Sequence, residues 1–149
     1  MMAEQRQKII DAIVDRKTNL YDSVYFYGTR ERAVSIVNEI EEQYRKRYPK
    51  IEVVRVDGEI FHNEIMHNIR TGNVRVPQWK GDLYIFENVE YVAGRVYAEQ
   101  LLYETLDWML QNNRQIVVTG SAPTASIENL APRICAQLDG GISLCVDAM

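Results

Sequence analysis

The stretch VYFYGTRERAVSIVNEIEEQYRKR, Val24–Arg47, decides the fold class. Val24–Tyr27 are apolar or aromatic and suit a buried strand. Gly28 ends that run. Ala33, Val37, Ile40 and Tyr44 then recur at helical spacing, and the helix has to stop before Pro49. A strand that turns straight into a helix is a corner at which a nucleotide can be held. Several glycines aim backbone N–H groups at the phosphates, a Lys neutralises them, and a Ser or Thr carries Mg²⁺. This corner has one glycine, Gly28, and no Lys before the helix. Thr29 reads as the N-cap. Glu31 in the first turn complements the helix dipole and occupies the positive potential that a phosphate would use. Arg30 and Arg32 offer charge to an anion, but two arginines at a helix start more often form a solvated face. The local chemistry disfavours ATP.

Outward from this corner, helix and strand signals alternate. Ile9, Ile10, Ile13 and Val14 place an amphipathic helix over residues 3–17, with a polar break at Asn19–Asp22. Ile51–Val56 is rich in β-branched residues and reads as a second strand. Phe61, Ile65 and Ile69 mark a helix closed by Gly72, and "NVRVPQWKG", residues 73–81, reads as a loop. Leu83–Phe86 is a continuous apolar run, as in a strand buried on both faces. Leu101, Leu102, Thr105, Leu106, Met109 and Leu110 set a long helix at 95–112, before strands at Ile116–Thr119 and Ile142–Val146. Strands separated by helices predict an α/β fold with a parallel sheet. No repeat or internal linker interrupts it, so one domain is expected over residues 1–149: an N-terminal helix and connector at 1–20, then sheet and helices at 21–149.

The global balance narrows the function. The formal net charge is −4 and the pI about 5.2, which argues against tight non-specific binding to nucleic acid, where a basic surface supplies most of the affinity. No apolar run approaches membrane-spanning length, and the N-terminus lacks a signal-peptide core. Cys135 and Cys145 fit no zinc or redox spacing and read as reduced thiols of a cytoplasmic protein, Cys145 in a buried strand. His62 and His67, with Glu64 between them, are five apart; on a helix they diverge, so no metal site is expected there. Trp108 reads as core or interface.

In "DLYIFENVEYV" the third strand ends in Glu87 and Asn88. A hydrophobic strand ending in two acids is the Mg²⁺- and water-activating site of P-loop ATPases. Glu87 keeps the charge to hold a metal, whereas Asn88 cannot take a proton from water. The alternative is that both simply form a polar strand end.

The segments "VYFYG" with "VNEIEEQYRKRYP", "VVRVDGEIFHNEIMHNIRTG", "DLYIFENVEYVAGR", "EQLLYETLDWMLQNNRQIVVTGSAPT" and "IENLAPRICAQLDGGISLCVD" keep an order and spacing that resemble the AAA+ core of the bacterial replication initiator DnaA. The resemblance implies a three-layer α/β/α sandwich with five parallel strands in the order 5-1-4-3-2. It also implies a degenerate nucleotide site. The family's Gly-Lys-Thr loop has no counterpart at Gly28, Thr29 and Arg30, where the junction is about five residues shorter. Its paired Walker B aspartates fall on Glu87 and Asn88, its sensor aspartate on Ser121 and its arginine finger on Gln137; Arg133 matches a family arginine other than the finger. The adenine-binding segment, the helical lid and the double-stranded-DNA domain have no match. The expectation is a pseudo-ATPase with no cofactor and no catalytic residue, acting on replication-initiator or helicase-loading proteins, in an oligomeric state that the sequence leaves open. The second expectation also comes from the resemblance, because the family contacts single-stranded DNA through its central helices. The matching region holds Arg70, Arg75, Trp79, Lys80, Arg95 and Tyr97, cations and aromatics suited to a strand with stacked bases. A basic residue of the family's DNA-contacting helix falls on Tyr97, which weakens that reading.

Overall fold

The computed structural model describes residues 2–15, 22–72 and 81–149. Five strands, β1 (Ser23–Tyr27), β2 (Val53–Asp57), β3 (Leu83–Glu87), β4 (Gln115–Gly120) and β5 (Ile142–Cys145), form one sheet in the order β2-β3-β4-β1-β5. Every pairing is parallel, with Val24 beside Val117 and Val54 beside Tyr84. This is the expected order read from the other edge, with the first and fourth strands adjacent and β2 at an edge. The helices are α1 (Met2–Val14), α2 (Arg30–Arg47), α3 (Gly58–Arg70), α4 (Val96–Gln111) and α5 (Pro132–Asp139).

Successive side chains of a strand face opposite sides, and this divides the core in two. Val24, Phe26, Leu83, Ile85 and Val117 face α1 and α2, where they meet Ile10, Ile13, Ile36, Val37 and Ile40. Tyr25, Tyr84, Phe86, Ile116 and Val118 face the layer of α3, α4 and α5, against Phe61, Leu102, Leu106 and Ile134. Each helix turns an apolar stripe to the sheet; α2 buries Ala33, Ile36, Val37, Ile40 and Tyr44, and carries Glu31 in its first turn and Arg45, Lys46 and Arg47 in its last. A buried acid joins two helices: Glu99 of α4 accepts the Ala131 backbone N–H at 2.6 Å, just before α5 begins. Neighbouring elements approach closely at Gly58, where a Cβ would lie 2.4 Å from the Asn88 carbonyl oxygen.

Some boundaries differ from the sequence reading. β2 starts at Val53 rather than Ile51, because Ile51 instead donates its N–H to the Tyr48 carbonyl in the turn after α2. Helix α1 ends at Val14, and residues 16–21 lie outside the described set. Ile69 belongs to α3 but is 51% exposed, so the buried stripe of that helix ends at Ile65. Cys145 is in β5, only half-buried, because β5 is an edge strand. Trp108 packs partly buried against the core. Among the described residues no helix is long and apolar enough to cross a membrane.

Candidate functional site

The carboxyl ends of all five strands converge on one rim, where ligands bind in open α/β sheets. Two residues, Gly28 and Thr29, separate β1 from α2. Gly28 has φ +128°, a conformation open to glycine, and a Cβ there would lie 2.7 Å from Asp147 Oδ2. Thr29 stands at the N-cap position of α2, yet its side chain makes no capping bond to the helix. Asp147, in the short turn after β5, takes the Thr29 backbone N–H on its carboxylate, at 3.1 Å to Oδ2 and 3.3 Å to Oδ1. Arg32 flanks it, with Nε 3.9 Å from Oδ1 and Nη1 donating to the Asp147 carbonyl at 3.3 Å. Hydrogen bonds from Thr29, helped by Arg32, hold the Asp147 carboxyl below its ordinary range. Arg30 is largely exposed and leans toward Asp57, 3.8 Å away.

Glu87 ends β3, and the parallel pairing of β2 with β3 brings Arg55 to it. Arg55 Nε meets Glu87 Oε1 at 2.5 Å and Nη2 meets Oε2 at 3.1 Å, a two-pronged pair. Arg55 also donates to Asn38 at 2.7 Å and Glu41 at 3.2 Å. Both Glu87 oxygens therefore serve a guanidinium. Hydrogen bonding to Glu87, against an opposing effect of burial, raises the Arg55 pKa further.

Asn88 adopts the left-handed conformation, φ 62°. Its backbone N–H goes to Thr119 Oγ1 at 3.0 Å and its side-chain amide to Asp57 Oδ2 at 2.6 Å. Asp57 in turn caps α3 through the Glu59 N–H at 2.9 Å. Beneath Arg30 lies a cleft of about 220 Å³ lined by Gly28, Asn88, Glu90, Thr119 and Ser121. Burial pushes the Glu90 carboxyl up, while Arg30 and the Ser121 backbone pull the other way. Its Oε2 is buried with no partner among the described residues. Gln137 lies away from this rim, donating from Nε2 to the Tyr103 carbonyl at 3.0 Å; Arg133 stacks over the Tyr103 ring at 4.5 Å.

Of the nucleic-acid candidates, Arg95 and Tyr97 meet at the start of α4, beside a groove of about 200 Å³ that includes His62 and Met66. Tyr97 is 71% exposed and Val96 70%. Arg95 Nη1 donates to His62 Nε2 at 2.5 Å, and burial with the nearby Arg95 charge lowers the His62 pKa. Arg70 is exposed at the other end of α3. Arg75, Trp79 and Lys80 lie outside the described residues. Sequence reasoning missed Arg55, Glu90 and Asp147. Only Glu90 carried a local signal, two residues after Asn88.

Residues 3–145 match the family described as the bacterial DnaA ATPase domain. The chain belongs to that family. The chromosomal replication initiator protein DnaA of Thermomicrobium roseum is 24% identical over 135 residues, covering 88% of this chain and 29% of that protein. The chain therefore spans about a third or less of the length of the curated DnaA relatives it matches. AMPPCP-bound DnaA from Aquifex aeolicus superposes with a TM-score of 0.83 at 13% identity, covering 93% of this chain and 44% of that one. A replication initiator DnaA bound to AMPPCP and single-stranded DNA gives 0.76 at 14% identity, covering 95% and 44%. At those identities the solved structures establish the DnaA-like α/β fold.

Proposed function

We propose that this chain is a non-catalytic DnaA-like module that acts in replication initiation through contacts with initiator or helicase-loading proteins. The observation that carries the reading is the corner itself. Gly28 and Thr29 alone join β1 to α2, so no loop wraps a phosphate and no Lys stands there. Charge-assisted hydrogen bonds contribute roughly 1.5–3 kcal/mol each. Lacking several of them together with the Lys costs on the order of 6 kcal/mol, about four orders of magnitude in affinity, which moves a micromolar site beyond millimolar. Asn88 supplies no general base and Gln137 no cation for transition-state charge. We expect millimolar MgATP to produce neither calorimetric heat nor a thermal shift, and purified replication initiator from the same organism to be retained on the immobilised chain with little response to salt. Saturable ATP binding at micromolar concentration contradicts this reading.

A second reading is favoured by the exposed Tyr97 and Val96 beside Arg95, and by the single-stranded DNA named in one similar structure. It makes the start of α4 a platform for stacked bases. Oligothymidine binding that weakens steeply with salt, and is lost in Tyr97→Ala, supports it.

A further inference from the structure

We propose that a cleft at the amino ends of β2, β3 and β4 binds a small amphipathic anion, one with a flat apolar body and a carboxylate or phosphate group. The cleft lies at the opposite end of the strands from Gly28, and what it binds is independent of what that corner does.

Ile51 stands just before β2, Asp82 directly before β3 and Arg114 directly before β4. With the end of α2 they border a cleft of about 620 Å³, a volume in the range of small-molecule sites and well above the 220 Å³ at the carboxyl rim. One side of it is apolar. Tyr44 is fully buried, and Tyr48 and Ile51 pack partly buried against the same core. The two tyrosine rings sit 5.5 Å apart at 46°, and the Tyr48 hydroxyl donates to the Val14 carbonyl at 3.0 Å, which holds its ring in place. A wall ordered in advance takes a flat apolar group without a further entropy cost. The other side is cationic. Arg47, Lys50 and Arg114 line the cleft against one acid, Asp82, in a chain whose net charge is −4. Asp82 is already committed: Oδ1 takes Arg114 Nη1, and Oδ2 takes the Glu52 backbone N–H at 3.0 Å. Arg47 pairs with Asp15 at 3.5 Å, a partly exposed contact of small worth. Lys50 is exposed and has no ion pair among the described residues. Arg114 Nε is buried with no partner among the described residues, a donor that an anionic oxygen would satisfy. The carboxyl ends of α2 and α4 also face this end of the sheet and work against an anion. Their carbonyls are partly taken, that of Tyr44 by the Tyr48 N–H and that of Met109 by the Arg114 N–H, each at 2.9 Å. An inorganic anion alone would miss the apolar wall, and a neutral hydrocarbon would leave the cations unmatched, so the cleft selects a ligand that has both parts.

The test titrates the full chain, labelled with ¹⁵N, with 1-naphthoate, 1-naphthyl phosphate and the neutral 1-naphthalenemethanol, and follows the backbone amides by NMR. Both anions are expected to shift the amides of Lys50, Ile51, Asn113 and Arg114 saturably at or below millimolar concentration. The alcohol should bind about tenfold more weakly, the equivalent of one charge-assisted hydrogen bond. The tighter of the two anions identifies the group, carboxylate or phosphate, that the ligand class carries. Lys50→Gln combined with Arg47→Gln, both at exposed positions, should bring the anions down to the affinity of the alcohol. Lys50→Gln alone breaks no ion pair among the described residues and should weaken both anions severalfold; it decides the question if the double variant does not fold. Equal affinity for the alcohol, unchanged anion affinity in the variants, or shifts confined to Gly28 and Ser121 at the carboxyl rim overturn the proposal. The absence of any saturable shift overturns it too.

Discussion

Replacing Glu87 by Gln separates a structural role for this strand-end acid from a metal-binding one. Its side chain is 12% exposed, and Arg55 beside it is 26% exposed. The substitution removes the charge from two hydrogen bonds, at 2.5 and 3.1 Å. Breaking a fully buried pair costs about 3–5 kcal/mol, because the remaining charge is left uncompensated. Arg55 keeps Asn38 and Glu41 after the change, so the remaining charge is compensated in part. A loss of about 2 kcal/mol follows, which for a domain of this size lowers the melting temperature by about 4–8 °C. Urea denaturation and thermal melting, each with and without millimolar Mg²⁺, measure this. We expect the same midpoint for the native chain in both conditions and the same deficit for Glu87→Gln in both. Only a modest reduction of the deficit is expected at high salt, since a half-buried pair is screened less than a surface pair. Native stability in Glu87→Gln, or a Mg²⁺-dependent rise in the native chain that the variant lacks, would refute the reasoning and return Glu87 to the role of a metal ligand.

Two further outcomes follow from groups buried without full partnership. Tyr84 is fully buried, its hydroxyl has no partner among the described residues, and burial raises its pKa well above the usual value. Tyr84→Phe should therefore stabilise the chain by about 1 kcal/mol, seen as a higher urea midpoint with an unchanged slope; a lower midpoint contradicts it. Glu90 has a folded pKa above its unfolded value. The native state then binds more protons between those two values, so the Glu90 contribution to stability falls as pH rises through that window and stays unfavourable above it. Glu90→Gln should melt higher than the native chain at pH 7 and converge with it below about pH 4, near the unfolded carboxyl pKa. A difference independent of pH argues against this origin.

Much of the architecture is legible in the sequence, because its signals are local. Val24–Tyr27 and Leu83–Phe86 are uniformly apolar since both faces of an interior strand are covered, and Ala33, Val37, Ile40 and Tyr44 repeat with the helix because one stripe meets the sheet. The absence of a Lys and of further glycines between Tyr27 and the helix is likewise a matter of reading residues. The strand order entered through the family resemblance and could not be had from periodicity, which says nothing about which strands pair. The details of the rim belong to tertiary structure alone. Arg55 meets Glu87 only because β2 and β3 pair in a register that sets Asp57 beside Glu87. Thr29 has the composition of a cap, but its side chain makes no capping bond, and a carboxylate arriving after β5 takes its own backbone N–H instead. Ile69 fits the apolar spacing of α3, yet the buried stripe of that helix ends at Ile65 and leaves Ile69 half exposed. Propensity and periodicity act over a few residues, whereas the partner of a charge or an N–H is chosen by what the completed sheet brings within 3 Å of it.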